Sequence, residues 1–227
     1  MNKSLHRLKL RPYADDVSLE PSGRRDRKKQ QTRSALMSAA LRLVDERGLD
    51  RVTVEEISAA VDVSSRTFFN YFATKDDAVL GDPLIDGSAL RQGLLDQPRE
   101  VPILEAVLRV LDPVTERIQA DRDLWLLRLR VIRRNPALLP ALFARSTIEE
   151  ERFVAAVAAR VGLPADHTFP RLAAAVAGAA FRTAVMRWAA TDGRGRLADH
   201  VHEAYGYLAA GLATPPPSVR HRGSPDH

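Results

Sequence analysis

The 227-residue sequence contains no cysteine, which excludes disulfide bridges and thiolate chemistry and suits a reducing compartment. It also has no apolar run close to the ~18 residues that a membrane-spanning helix requires. The N-terminal segment is basic but lacks the apolar stretch of a secretory signal. We therefore expect a cytoplasmic protein that does not associate with membranes.

The sequence likewise lacks the residue patterns of catalytic and metal sites. No Gly-rich phosphate loop follows a strand pattern, and no G-x-S-x-G nucleophile motif occurs. His200 and His202 lie two residues apart, so they point to different faces of a helix, and no third ligand is evident. We predict a protein that is not an enzyme and that needs neither a metal nor a cofactor.

What is present favours helices and nucleic acid. Hydrophobic residues make up 45% of the chain, and the abundant Ala, Leu and Arg are strong helix formers. Residues 1–33 carry ten Lys and Arg against four acids, a net charge of +6, whereas residues 34–227 carry twenty-four against twenty-five. All the excess positive charge therefore precedes or opens the first helix, where it favours contacts with phosphates. A solvated tail that only keeps the protein soluble is the alternative.

Two short helices are predicted within residues 53–72. Val54, Ile57 and Val61 recur at helical spacing, and Thr53 with Glu56 forms a capping box that fixes the start of the first helix. Ser64 is expected to cap the second helix.

The second helix divides into an apolar and a polar side. Three aromatic residues, Phe68, Phe69 and Phe72, can face a core. The side chains left on the outer side are Ser65, Arg66, Thr67, Asn70 and Tyr71. Such a helix, held against a preceding one, has the shape that enters the major groove of DNA.

Residues 30 to about 80 resemble the DNA-binding region of the tetracycline-repressor (TetR/AcrR) family of bacterial regulators. The matching residues are an Arg-led first helix closing at 46–48, Thr53, Val54, Ile57, Val63, Ser64, Thr67, Phe68, Phe69, Tyr71, Phe72 and Lys75. The turn commonly carries Gly where this chain has Asp62. Because Asp tolerates a left-handed backbone better than most residues, we expect the turn to survive.

The resemblance implies an all-α fold with a three-helix DNA-binding head at residues 24–80 and a helical ligand-binding and dimerisation domain at residues 81–213. In that family the last two long helices form a four-helix dimer interface, which here corresponds to residues 169–190 and 197–212. Residues 1–23 are expected to be a disordered basic arm and residues 214–227 a disordered tail.

The expected partners are a near-palindromic double-stranded operator, a second copy of the chain in a homodimer, and a small-molecule effector. Base contacts are predicted for Ser65, Arg66, Thr67 and Asn70, and phosphate contacts for Arg33, Thr53, Ser64, Tyr71 and Lys75. The predicted ligand pocket contains Trp125, Arg128, Phe143, Phe181, Arg182, Met186 and Trp188, with ordinary core packing as the alternative. We thus expect a homodimeric repressor that an effector releases from DNA. A DNA-bound activator, and a helical dimer that uses the motif for protein contacts, are the alternatives.

Overall fold

The computed structural model describes residues 24–82 and 87–212, which form ten α-helices and two short 3₁₀ turns and contain no β-strand. The helices are α1 (Arg24–Arg47), α2 (Val54–Ala59), α3 (Ser65–Phe69), α4 (Lys75–Leu80), α5 (Gly87–Leu95), α6 (Ile103–Ala120), α7 (Arg122–Arg134), α8 (Leu139–Val161), α9 (Thr168–Ala190) and α10 (Leu197–Ala209). The all-α prediction is confirmed. The predicted arm at residues 1–23 and the tail at residues 214–227 lie outside the described residues.

No helix in residues 24–82 or 87–212 is both long enough and apolar enough to cross a bilayer.

The first apolar core joins α1–α4 to α7 and to the 3₁₀ turn that follows it. Leu36, Ile57 and Phe68 are fully buried in it. Val131, near the end of α7, and Leu138, in the 3₁₀ turn Pro136–Leu138, are fully buried in the same core. The predicted boundary at residue 80 therefore does not coincide with a boundary in packing, because the apolar side of α7 completes the core of the head.

The second core fills the C-terminal part and is built on the Ala-rich α9. Ala177 and Ala184 are buried on α9, and such small side chains let the neighbouring helices approach closely. Trp188, near the end of α9, is fully buried in this core. Tyr205 of α10 donates a hydrogen bond of 3.0 Å from its hydroxyl to the carbonyl of Ala177, which ties the last two helices together.

Proline inside α6 does not end that helix. Proline ordinarily kinks or restarts a helix, because it removes one backbone donor and crowds the preceding turn. The structure instead keeps one helix from Ile103 to Ala120 through Pro113. Val107, Leu111 and Val114 are buried on one side of it. Tertiary packing of this apolar side outweighs the cost of the single proline.

Candidate nucleic-acid interface

The start of α2 is fixed by the predicted capping box. The Glu56 N–H donates to the hydroxyl of Thr53 at 3.2 Å, and the Thr53 N–H donates to the Glu56 carboxylate at 2.9 Å. Arg47, in the last turn of α1, donates to the same carboxylate at 2.9 Å. The cap therefore sets both where α2 begins and how it lies against the end of α1.

The turn between α2 and α3 has the left-handed residue that was expected. Asp62 has a φ of 56°, a conformation that favours Gly but that Asp can also adopt. The Val63 N–H then donates to the carbonyl of Ser58 at 3.0 Å, which closes the end of α2. Asp in place of Gly thus preserves the turn.

Ser64 caps α3, as predicted, and accepts a hydrogen bond of 3.1 Å from the Thr67 N–H. Phe68 and Phe72 are buried in the core of the head. The prediction that Phe69 also faces the core is wrong, because 56% of this residue is exposed. Residues four apart share one side of a helix, whereas adjacent residues lie about 100° apart, so only Phe68 and Phe72 can point inward together.

The outer side of α3 carries the predicted polar side chains. Arg66 and Asn70 are exposed and lie four residues apart, and therefore on the same side. Ser65, Thr67 and Tyr71 are half-buried. The Thr67 hydroxyl also lies 3.0 Å from the Ser64 hydroxyl, so the cap holds it in place. The structure thus exposes Arg66 and Asn70 on one side of α3, whereas the half-buried Ser65 and Thr67 lie about 100° to either side of Arg66.

Arg33 has a role that the sequence did not indicate. Its Nε lies 2.9 Å and 3.0 Å from the two carboxylate oxygens of Asp82, and Nη2 donates to that carboxylate as well. Its Nη1 donates to the carbonyl of Tyr71 at 2.5 Å, and the guanidinium stacks 4.2 Å from the ring centroid of Phe72. Each of the three nitrogens has an acceptor within the protein, but a guanidinium has five N–H groups, so one on Nη1 and one on Nη2 remain. Arg33 therefore first positions the end of α3, and its contact with a phosphate stays a prediction.

Lys75 also bonds within the protein. Its ammonium donates to the carbonyls of Leu49 at 2.7 Å and Val52 at 3.0 Å, at the two ends of the 3₁₀ turn before α2. An ammonium has three donors, so one remains for a phosphate oxygen. Lys75 therefore first positions α4 against this turn, and its contact with DNA stays a prediction.

The seven residues predicted for the ligand pocket differ widely in burial. Phe143 is 66% exposed, and Met186 is 51% exposed on the outer side of α9, where Arg182 is exposed one turn away. Trp188 is fully buried in the second core, where the half-buried Trp125 and Phe181 pack around it. Aromatic residues in an amphipathic sequence do not reveal which of them are core and which are surface. Of the seven residues, Arg128 alone is both charged and buried.

Two open clefts lie elsewhere in the described part of the chain. The larger, of about 400 Å³, lies between α5 and α8 and includes Arg91 and Arg152 in its lining. The second, of about 270 Å³, lies between α6 and the start of α10. None of the seven predicted pocket residues lines either cleft.

The capped pair α2 and α3, with its polar outer side, defines the chain as a helix-turn-helix protein built to bind DNA. A family model described as bacterial regulatory proteins of the tetR family matches residues 36–80, and one described as the MftR C-terminal domain matches residues 101–213. The HTH-type transcriptional regulator TcmR of Streptomyces glaucescens is 33% identical over 173 residues, which cover 73% of this chain and 76% of TcmR.

Solved structures share the fold at lower identity. The fatty acid degradation regulator FadR from Bacillus halodurans has a TM-score of 0.54 and 18% identity, over 81% of this chain and 97% of FadR. SmeT, solved in complex with triclosan, has a TM-score of 0.56 and 17% identity, over 83% of this chain and 100% of SmeT. The chain belongs to the tetR family, and it is a DNA-binding transcriptional regulator.

Proposed function

We propose that the protein is a homodimeric repressor that binds a near-palindromic operator and releases it when a small molecule binds the C-terminal domain. The single observation that carries the DNA-binding part is the outer side of α3. Arg66 and Asn70 are exposed there, four residues apart, on a short helix whose start is fixed by the Ser64 cap. Arg can bond guanine through two hydrogen bonds, and Asn can bond adenine in the same way.

The base contacts are assigned to Ser65, Arg66, Thr67 and Asn70. Contacts to the phosphates are assigned to Thr53, Ser64 and Tyr71, which flank these residues, and to the remaining ammonium donor of Lys75. Phosphate contacts fix the position of the helix on the duplex, whereas base contacts provide the sequence preference. Arg33 is assigned to holding the end of α3, and its two remaining N–H groups are assigned to a phosphate.

The dimer is assigned to the exposed sides of α9 and α10. Leu172 and Met186 on α9 are exposed apolar residues, although most of the apolar residues of this helix are buried in its own chain. An exposed apolar surface of this kind suits a second copy. A two-fold dimer places two copies of α3 on successive major grooves, so the operator is expected to be an inverted repeat.

The proposal is tested by selecting bound fragments from a random duplex library at a fixed salt concentration. An enriched inverted repeat is expected. The Arg66→Ala variant should bind that repeat about 5 to 150 times more weakly, which corresponds to the ~1–3 kcal/mol of one bidentate base contact, while its binding to random DNA changes little. Arg194→Ala serves as the control, because Arg194 is exposed in the loop between α9 and α10. Equal losses on operator and random DNA would contradict base reading by Arg66, and a library without enrichment would contradict the operator.

A further inference from the structure

Arg128 on α7 is a charged side chain enclosed by protein. Only 7% of it is exposed. Its guanidinium stacks 4.6 Å from the ring centroid of Trp125 on one side. It also lies against Gly81 at the end of α4, where φ is +72° and an added Cβ would lie 2.5 Å from Nη2 of Arg128. The guanidinium thus occupies the joint between the DNA-binding head and the C-terminal domain.

The guanidinium of Arg128 lacks hydrogen-bond acceptors among the described residues around it. Its Nε is buried without a hydrogen-bond acceptor, and no hydrogen bond joins Nη1 or Nη2 to residues 24–82 or 87–212. Desolvation by burial lowers the pKa of Arg128, an effect that the charge of Asp82 partly opposes. A buried charge without a hydrogen-bonded partner is costly unless something else binds it.

The two carboxylates that the structure describes nearby already accept hydrogen bonds from other arginines. Asp82 accepts from Arg33, and Asp77 accepts from Arg145 at 2.6 Å. Arg145 also donates to the carbonyl of Gly81 at 2.7 Å. These five described side chains comprise three guanidinium groups and two carboxylates, so together they carry one positive charge in excess. A single carboxylate would neutralise it and would supply the acceptors that Arg128 lacks.

We propose that Arg128 is the binding site for the carboxylate of an organic-acid effector. The inference rests on the proposed function, in which the C-terminal domain binds a small molecule, and it adds the chemical class and the anchoring residue. A carboxylate fits because its two oxygens match the planar fork of a guanidinium. The half-buried ring of Trp125 beside it provides apolar surface for the body of the molecule.

The position of Arg128 also explains how binding of such a ligand can affect the DNA-binding surface. A carboxylate bound to Arg128 places a second negative charge beside Asp82. It also competes with Asp82 for the electrostatic attraction of the Arg128 guanidinium. Asp82 is the carboxylate that holds Arg33, and Arg33 in turn holds the Tyr71 carbonyl and the Phe72 ring just after α3. Binding is therefore expected to loosen one ionic contact that fixes the end of the recognition helix. The ligand can shift the equilibrium only by its difference in affinity for the two arrangements.

The experiment uses the full chain and two pairs of probes, octanoate with octanamide and 1-naphthoate with 1-naphthamide. Binding is measured by calorimetry and thermal shift up to about 10 mM probe, so that even a millimolar Kd is detected. We expect at least one acid to bind about tenfold or more tightly than its neutral amide. The Arg128→Gln variant should lose that preference, whereas Arg133→Gln, which alters an exposed arginine of the same helix, should retain it.

The same acid should release the wild-type protein from its selected operator and should fail to release Arg128→Gln. Three results would overturn the inference: no binding of either acid to the wild-type chain, equal binding of acid and amide, or unchanged acid binding by Arg128→Gln. The amide comparison needs no variant, so it decides the question even if Arg128→Gln does not fold. Operator binding without any probe is scored separately, because its loss would count against the proposed repressor and not against the carboxylate site.

Discussion

Replacing Lys75 with Met tests whether this side chain acts on the protein or on DNA. The variant keeps a chain of similar length but removes the ammonium that donates to the carbonyls of Leu49 and Val52. Hydrogen bonds to a charged group contribute about 1.5–3 kcal/mol each. Because Lys75 is half-buried, water can partly replace it at the two carbonyls, so we expect a total loss of about 2–3 kcal/mol.

Thermal unfolding followed by circular dichroism measures this loss, at one fixed protein concentration because a dimer's stability depends on concentration. For a chain of this size, about 1 kcal/mol shifts Tm by roughly 2–4 °C, so Lys75→Met should lower Tm by roughly 4–12 °C. Lys29→Met is the control, because Lys29 is exposed on α1, and it should change stability by less than about 0.5 kcal/mol. If Lys75→Met kept wild-type stability but lowered the salt slope of DNA binding by about one, the structural role would be refuted.

Two further predictions concern the turn before α3 and the contact between α9 and α10. Asp62→Val should destabilise the protein by about 1–3 kcal/mol in denaturant titrations, because a β-branched residue does not tolerate a φ of 56°. Asp62→Gly should stay within about 1 kcal/mol of wild type. Equal stability of the two variants would contradict the left-handed turn. Tyr205→Phe should cost about 1 kcal/mol through the lost bond to Ala177. Burial raises the pKa of Tyr205, so the wild-type protein should lose stability above pH ~10, where an unfolded tyrosine ionises and the buried one does not. A Tyr205→Phe variant that lost the same amount over that pH range would argue against this linkage.

The features that the sequence predicted are local ones. The start of α2 follows from Thr53 and Glu56, and the start of α3 from Ser64, because a cap involves residues only three apart. The ends of α1 and α4 are equally local, since Gly48 and Gly81 follow them with positive φ values of 86° and 72°. Residue spacing and capping residues are sufficient to predict where a helix begins or ends when the interactions involved lie within one helical turn.

The features that could not be predicted depend on residues far apart in the chain. Arg33 bonds to Asp82, which lies 49 residues later in the chain, and Lys75 bonds to Leu49, which lies 26 residues earlier. Sequence periodicity does not predict contacts at such separations. The short helix α5 was not predicted, because it begins with Gly87 and Ser88 and buries only two Leu residues. The ligand pocket was predicted from aromatic content, which does not distinguish the buried Trp188 from the exposed Phe143.

The packing of α7 explains why ligand binding in the C-terminal domain is expected to affect the DNA-binding head. Surface ion pairs such as that between Arg130 and Asp45, with oxygen–nitrogen distances of 3.0 Å and 2.8 Å, stabilise a fold by only about 0–1 kcal/mol. The hydrogen bond from Arg130 nevertheless lowers the pKa of Asp45, so the pair stays charged and directional. Val131 on the same helix is fully buried in the head, and burial of a valine contributes about 1.5–3 kcal/mol. We therefore expect the apolar contact to keep α7 packed against α1, and we expect the weaker ionic contacts nearby, including the one between Asp82 and Arg33, to rearrange if a carboxylate binds Arg128.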